Sequence, residues 1–172
     1  NKIRENVTIN RGTAAKGKTC VGSGNLLMES VHVAHDAFVG NDCIIGNGTK
    51  LAGEIIIDDH AIISANVLMH QFCRVGGYTM VGGGTRFSQD IPPYTICARE
   101  PVAYCGLNLV GLRRRGFSNE LIENIHNTYR IIYQGGVPLN EALQKVREEV
   151  PASPEINYII EFIENSKRGF VH

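Results

Sequence analysis

No two cysteines in this sequence are spaced Cys-x-x-Cys, and the five present (Cys20, Cys43, Cys73, Cys97 and Cys105) are an odd number. Both facts argue against a disulfide framework and a zinc ribbon, and small buried thiols in a reducing cytosol are expected instead. Excess charge is also missing. Seventeen Lys and Arg balance 17 Asp and Glu, so no global field points to nucleic acid or a membrane surface. No apolar run approaches the ~20 residues of a membrane-spanning helix. No basic-then-apolar leader is seen, so nothing suggests secretion. There is no nucleophile elbow and no dinucleotide fingerprint, and Gly82-Gly83-Gly84 lacks the Lys-Ser/Thr of a phosphate loop. A length of 172 residues allows one good core, or one core plus a small appendage.

What the sequence does have is a repeat. Every sixth residue from Val21 is large and apolar: Val21, Leu27, Val33, Val39, Ile45, Leu51, Ile57, Ile63, Met69, Val75, Val81 and Phe87. The residue after the anchor is often Gly (Gly22, Gly40, Gly46, Gly76, Gly82), and the one four after the anchor is usually small or β-branched (Val31, Ala37, Cys43, Thr49, Ala61). A period of six fits neither an amphipathic helix nor an alternating strand. It fits short strands joined by tight corners, with Gly supplying the positive φ a corner needs. Three hexads close a triangular coil of 18 residues. Such coils must stack to bury their anchors, so a parallel β-helix is expected over residues 1–104. Ile3 and Ile9 keep the phase and residues 10–20 break it, which reads as a loop that leaves the array and rejoins it.

Pro92-Pro93 ends the strict array, because Pro cannot donate to an inner ladder. A less regular stretch, Tyr94 to Cys105, follows. From residue 105 to 172 the period becomes helical, and a small α-helical domain packed on the end of the solenoid is expected. Ser118 reads as an N-cap for a helix with the stripe Leu121, Ile125, Tyr129 and Ile132, stopped by Gly135-Gly136. Asn140 reads as the cap of a second helix carrying Leu143 and Val146. Ser153-Pro154-Glu155 opens a third, with Ile156, Ile159, Ile160 and Ile163 on its face and Gly169 at its end.

Chemistry concentrates in Val31-His32-Val33-Ala34-His35-Asp36. Residues 18 apart stack one interstrand spacing, ~4.8 Å, apart, so His35, Gly53, Gln71 and Gln89 share one column, with His32 and His70 nearby. Three readings of His35 stand open. It is an exposed corner histidine, a metal ligand with His32 and His70, or a general base, for which an ordinary imidazole pKa of ~6.5 is suited. Asp36 is the obvious orienting carboxylate, although adjacent strand residues point to opposite faces. Gly53 offers a bare backbone N–H toward a developing oxyanion. A base without a protein nucleophile suggests direct attack by a substrate hydroxyl on an activated acyl group.

The repeat resembles the hexapeptide-repeat acyltransferases, which implies a left-handed β-helix and a homotrimer. The hand does not follow from the period, since parallel crossovers are generally right-handed. Several stretches narrow the resemblance: Ile3 to Thr13, His32-Val33-Ala34-His35-Asp36, Met69-His70-Gln71-Phe72, Gln89 to Tyr94, and Asn108 through Arg113-Arg114-Arg115-Gly116-Phe117. Together they resemble the UDP-N-acetylglucosamine O-acyltransferase family, which carries out the first step of lipid A synthesis in the cytoplasm. The resemblance covers essentially the whole chain and implies further coils ahead of Asn1. It implies transfer of a 3-hydroxyacyl chain from acyl carrier protein to the 3-hydroxyl of UDP-N-acetylglucosamine, at a site between subunits. It implies no resident cofactor, since phosphopantetheine arrives on the donor, and no metal.

By position, the resemblance makes His35 the base, Asp36 its partner and Gly53 the oxyanion donor. It puts His32, His70 and Gln71 on the sugar or the pantetheine arm, and Asn108, Arg114 and Arg115 on the uridine diphosphate. Arg suits that last task because it donates forked hydrogen bonds to phosphate. Gly83 falls where the family measures acyl length. Glu54 departs from an expected histidine, and Val110 from an expected acidic residue. The competing functions are a zinc-dependent trimeric solenoid enzyme of the carbonic anhydrase type and an inactive scaffold fragment.

Overall fold

The computed structural model describes residues 1–172. Fourteen two-residue strands come first: β1 Lys2–Ile3, β2 Thr8–Ile9, β3 Cys20–Val21, β4 Leu26–Leu27, β5 His32–Val33, β6 Phe38–Val39, β7 Ile44–Ile45, β8 Lys50–Leu51, β9 Ile56–Ile57, β10 Ile62–Ile63, β11 Leu68–Met69, β12 Arg74–Val75, β13 Met80–Val81 and β14 Arg86–Phe87. They stack as three parallel sheets. β1-β4-β7-β10-β13 form the first face, β2-β5-β8-β11-β14 the second, and β3-β6-β9-β12 the third. Partners lie 18 residues apart, as in Ile44↔Ile62 and His32↔Lys50. Across the 10–20 loop the offset is 24, as in Lys2↔Leu26, so that loop adds six residues to the corner between the second and third faces of the first coil.

The anchors and the small residues four places on are the core. Leu27, Val33, Val39, Ile45, Leu51, Ile57, Ile63, Val75 and Val81 are wholly buried, as are Val31, Cys43, Ala61, Val67 and Cys73. Burial pushes the thiols of Cys43 and Cys73 up to about 11 and that of Cys97 up to about 12, so these cysteines are packing groups. Cys105 is the exposed exception.

The glycines after the anchors do a different job from the one expected. None of them has positive φ. That conformation falls two residues later, at Gly24, Ser30, Asp36, Asp42, Gly48, Glu54, His60, Asn66, Phe72, Tyr78 and Gly84, most of which are not glycine. The glycines serve close approach between coils. A Cβ on Gly22 would lie 2.4 Å from the Gly40 carbonyl oxygen, and one on Gly46 2.5 Å from the Ala65 nitrogen.

The ladder also runs past the prolines. β15 (Thr95–Ala98) adds to the first face beside β13, with Met80↔Ile96 at an offset of 16, and β16 (Ala103–Leu107) folds back antiparallel to it. A hairpin therefore occupies the stretch read as irregular, and β16 straddles residues 104 and 105.

Four helices follow: α1 Leu109–Arg114, α2 Asn119–Gln134, α3 Leu139–Glu149 and α4 Pro154–Glu164. Ser118 Oγ accepts from the Leu121 amide and Ser153 Oγ from that of Ile156, so both caps stand as read. The N-cap of α3 is Pro138, with no side-chain cap bond, and Asn140 lies inside the helix. On α2 the buried face centres on Ile122, Ile125, Thr128 and Tyr129, with Leu121 and Ile132 at its edges. α4 ends at Glu164, and Gly169 lies beyond it in a tail that returns to the solenoid. There the Val171 amide donates to the Asp90 carbonyl, and the Val171 side chain joins the solenoid core.

Candidate active site

Each coil has three corners, and the candidate residues are distributed over all of them. His35 occupies the second-to-third corner between β5 and β6. Asp36, the next residue, has φ +61°. That left-handed turn swings its carboxylate back beside the preceding imidazole, with His35 Nδ1 2.8 Å from Asp36 Oδ2. The carboxylate only accepts, so Nδ1 carries the ring proton and Nε2 carries the lone pair. The Asp36 side chain is wholly buried, while that of His35 is 45% exposed.

The 10–20 loop supplies the burial. The Thr13 amide donates to Asp36 Oδ1 at 2.9 Å and the Thr13 hydroxyl to Oδ2 at 2.7 Å. The Asp36 amide donates to Thr19 Oγ1 at 2.8 Å. Burial raises the Asp36 pKa, but the hydrogen bonds from His35 and Thr13 outweigh it and hold the carboxyl below its ordinary 3.8. Thr13 and Thr19 escaped the sequence reading. The signal was present, since phase counting puts the insertion at the corner one coil before His35.

Gly53 lies under the ring. A Cβ there would sit 2.7 Å from His35 Cε1 and 2.8 Å from Nε2, so only glycine admits this imidazole. The Gly53 amide donates to no protein acceptor. The amides of His35, Gln71 and Gln89 in the same column are also unpaired, so the imidazole is what distinguishes Gly53. One coil beyond Asp36, Glu54 turns to the loop instead of crowding it, 3.7 Å from Lys16 Nζ.

Gln71 is exposed on the same corner, and its carbonyl accepts from His70 Nδ1 at 3.0 Å. His70 also edges a groove of about 460 Å³ on the second face, with Leu68, Arg86 and Phe87. His32 faces out from that sheet, its Nδ1 2.7 Å from Thr8 Oγ1. The Nδ1 atoms of His32, His35 and His70 thus have separate partners, and no three His, Cys, Asp or Glu side chains of the chain converge on a metal-sized site.

Gly83 sits at the first-to-second corner. Asn108, Arg114 and Arg115 gather at the third-to-first corner, on the helical side. Asn108 is 5% exposed. Its Oδ1 caps α1 at the Gly111 amide and its Nδ2 donates to the Tyr78 carbonyl, so this side chain joins α1 to the solenoid. Arg114 and Arg115 are exposed, and Arg115 Nη1 lies 3.1 Å from His60 Nδ1. Within one chain the basic turn and His35 therefore occupy different corners of the prism.

A family model described as UDP N-acetylglucosamine O-acyltransferase, domain 2, matches residues 90–171. Among solved structures, the UDP-N-acetylglucosamine acyltransferase of Bacteroides fragilis is 72% identical over 99% of this chain and 67% of its own, with a TM-score of 0.96. The Francisella novicida enzyme is 37% identical over 98% of this chain and 62% of its own, TM-score 0.94. That of Arabidopsis is 32% identical over 99% and 62%, TM-score 0.93. The chain thus spans 62–67% of the length of these relatives. The solenoid is the left-handed parallel β-helix of that fold, followed by its helical region. Identity of this extent, carried along a common fold, establishes that the chain belongs to the UDP-N-acetylglucosamine O-acyltransferase family.

Proposed function

We propose that the protein transfers a 3-hydroxyacyl chain from acyl carrier protein to the 3-hydroxyl of UDP-N-acetylglucosamine, the opening step of lipid A synthesis, in the cytoplasm. The observation that carries this reading is the stack of His35 on Gly53 with Asp36 locked behind it. Nε2 of His35 takes the proton of the sugar hydroxyl as its oxygen attacks the thioester carbonyl. The carbonyl oxygen becomes an oxyanion beside the Gly53 N–H. The intermediate collapses with loss of the C–S bond, and the His35 imidazolium returns the proton to the departing pantetheine thiolate. No residue is acylated, and the phosphopantetheine belongs to the donor.

Arg114 and Arg115 hold the diphosphate, and His32, His70 and Gln71 line the approach to the base. The basic turn and the base sit at different corners of one chain, so the complete site forms between copies in a homotrimer. A Cβ on Gly83 would meet Ala65 O at 3.4 Å, Ser64 Cβ at 3.7 Å and Ala65 N at 4.0 Å within the chain, all ordinary van der Waals contacts. Packing therefore does not demand glycine there, and the vacant position suits a site that receives the acyl tail.

The test is His35→Ala in the full-length protein, with acyl transfer to UDP-N-acetylglucosamine measured directly. A positioned general base contributes about 10²–10⁴-fold, and kcat should fall by that factor with the thermal transition unchanged. Transfer at the wild-type rate would remove His35 as the base.

A further inference from the structure

His60 stands between the solenoid and the basic turn. A guanidinium has donors only, so the 3.1 Å contact from Arg115 Nη1 makes His60 Nδ1 the acceptor and leaves the ring proton on Nε2. The imidazole is itself braced. Its centroid lies 4.7 Å from that of Tyr78, one coil along, and the Tyr78 ring also flanks the guanidinium, 5.8 Å from Arg115 Cζ. Across the corner, Asp42 Oδ2 is 3.8 Å from the same Nδ1. Arg115 has no carboxylate partner of its own. Beside the pair lies an open cavity of about 570 Å³, lined in part by Lys2, Asp42, Ile44, His60 and Arg115.

We infer that His60 is a positioning residue for Arg115, orienting the guanidinium so that its remaining N–H groups receive the diphosphate of the nucleotide sugar. The inference rests on the reading of Arg115 as a diphosphate ligand. A free arginine loses rotamer freedom when it is ordered, and fixing it before the ligand arrives lowers the cost of binding. The identity of the acceptor matters. A carboxylate in this place would orient Arg115 but also neutralise it and compete with phosphate. An uncharged imidazole nitrogen orients the guanidinium and leaves its charge for the ligand.

Two substitutions in the full-length protein separate the acceptor from the ring. His60→Phe keeps an aromatic ring against Tyr78 and removes the acceptor. His60→Asn removes the ring and places an amide oxygen near the position of Nδ1. With UDP-N-acetylglucosamine as the probe, in steady-state kinetics and calorimetry, His60→Phe should weaken binding and raise KM about tenfold, with kcat within about twofold. His60→Asn should stay near wild type in both. Unchanged affinity in His60→Phe, or equal losses in the two variants, would overturn the inference. Arg115→Ala, measured in parallel, separates the two levels. Weakened binding in Arg115→Ala with normal binding in His60→Phe rejects the role of His60 alone. Normal binding in Arg115→Ala rejects the diphosphate reading and the inference with it.

Discussion

His35 Nδ1 and Asp36 Oδ2 are 2.8 Å apart although the two residues are consecutive. In an extended chain neighbouring side chains diverge to opposite faces. The φ of +61° at Asp36 cancels that divergence by turning the chain between them. The same turn that closes the coil thus pairs the acid with the base.

Asp36→Asn tests what the pairing does. An amide can present either a donor or an acceptor to Nδ1, so the ring loses its fixed tautomer. We expect kcat to fall about 100-fold with little change in KM for the nucleotide sugar. Stability should respond to acid as well. A carboxyl held below its ordinary 3.8 contributes stability that is present above that value and lost as pH falls through the depressed one. Acid unfolding of the wild type should show this loss, and Asp36→Asn should lack it. Superimposable acid transitions would show that the carboxylate contributes nothing.

Thr13→Val keeps the side-chain volume but removes the 2.7 Å bond to Asp36 Oδ2 and the 3.3 Å bond that the hydroxyl accepts from the Ala15 amide. One hydrogen bond is worth about 0.5–1.5 kcal/mol net, so kcat should drop roughly threefold to tenfold, with acceptor KM unchanged. A purely structural loop would lower the melting temperature and leave kcat alone.

Gly53→Ala places a methyl 2.7 Å from His35 Cε1. Gly53 does not have positive φ, so the backbone tolerates alanine and the imidazole must move. Displacing a reacting group by about 1 Å can cost about 10²-fold. We expect that loss in kcat with a normal circular dichroism spectrum. Activity within twofold of wild type would mean the ring is free to move without penalty.

Asp58 tests the joint between solenoid and helices. Its Oδ2 accepts from the Tyr158 hydroxyl at 2.5 Å, and that hydroxyl accepts from the Gly77 amide at 2.8 Å. Burial raises the Asp58 pKa, against the opposing effects of Tyr158 and Arg74. The ionised form is therefore a cost to folding near neutral pH, and the cost fades as pH falls toward the raised value. Asp58→Asn keeps an acceptor without the charge and should melt at or above the wild-type temperature at pH 7, with the difference shrinking in acid. Asp58→Ala leaves the half-buried Tyr158 O–H without an acceptor and should lose about 1–3 kcal/mol. Equal destabilisation in both variants would contradict this account.

Much of the architecture is legible in the sequence because the period of six is a local property. Twelve apolar anchors and the small residues between them specify short strands, corners and an 18-residue coil. The column of His35, Gly53 and Gln71 follows from that arithmetic. Less legible was the backbone at the corners. Non-glycine residues such as Asp36, His60, Phe72 and Tyr78 take positive φ, while the glycines expected there answer to the stacking distance between coils. The hairpin after Pro92-Pro93 was hidden because its pairing shifts from 18 to 16 residues, which no fixed period can express. Only the packing of α1 on the solenoid reveals the two buried hydrogen bonds of the Asn108 side chain, which accepts from the Gly111 amide and donates to the Tyr78 carbonyl.

By itself, then, the sequence determined the repeat, the stacking register and the presence of a histidine over a glycine, since each depends only on spacing. The tertiary structure decided that Asp36 turns back on His35, that Thr13 and Thr19 bury its carboxylate, and that His60 meets Arg115, 55 residues away. Those relations depend on left-handed corner geometry and on contacts between separate elements, and neither is encoded in the identity of residues six or 18 apart.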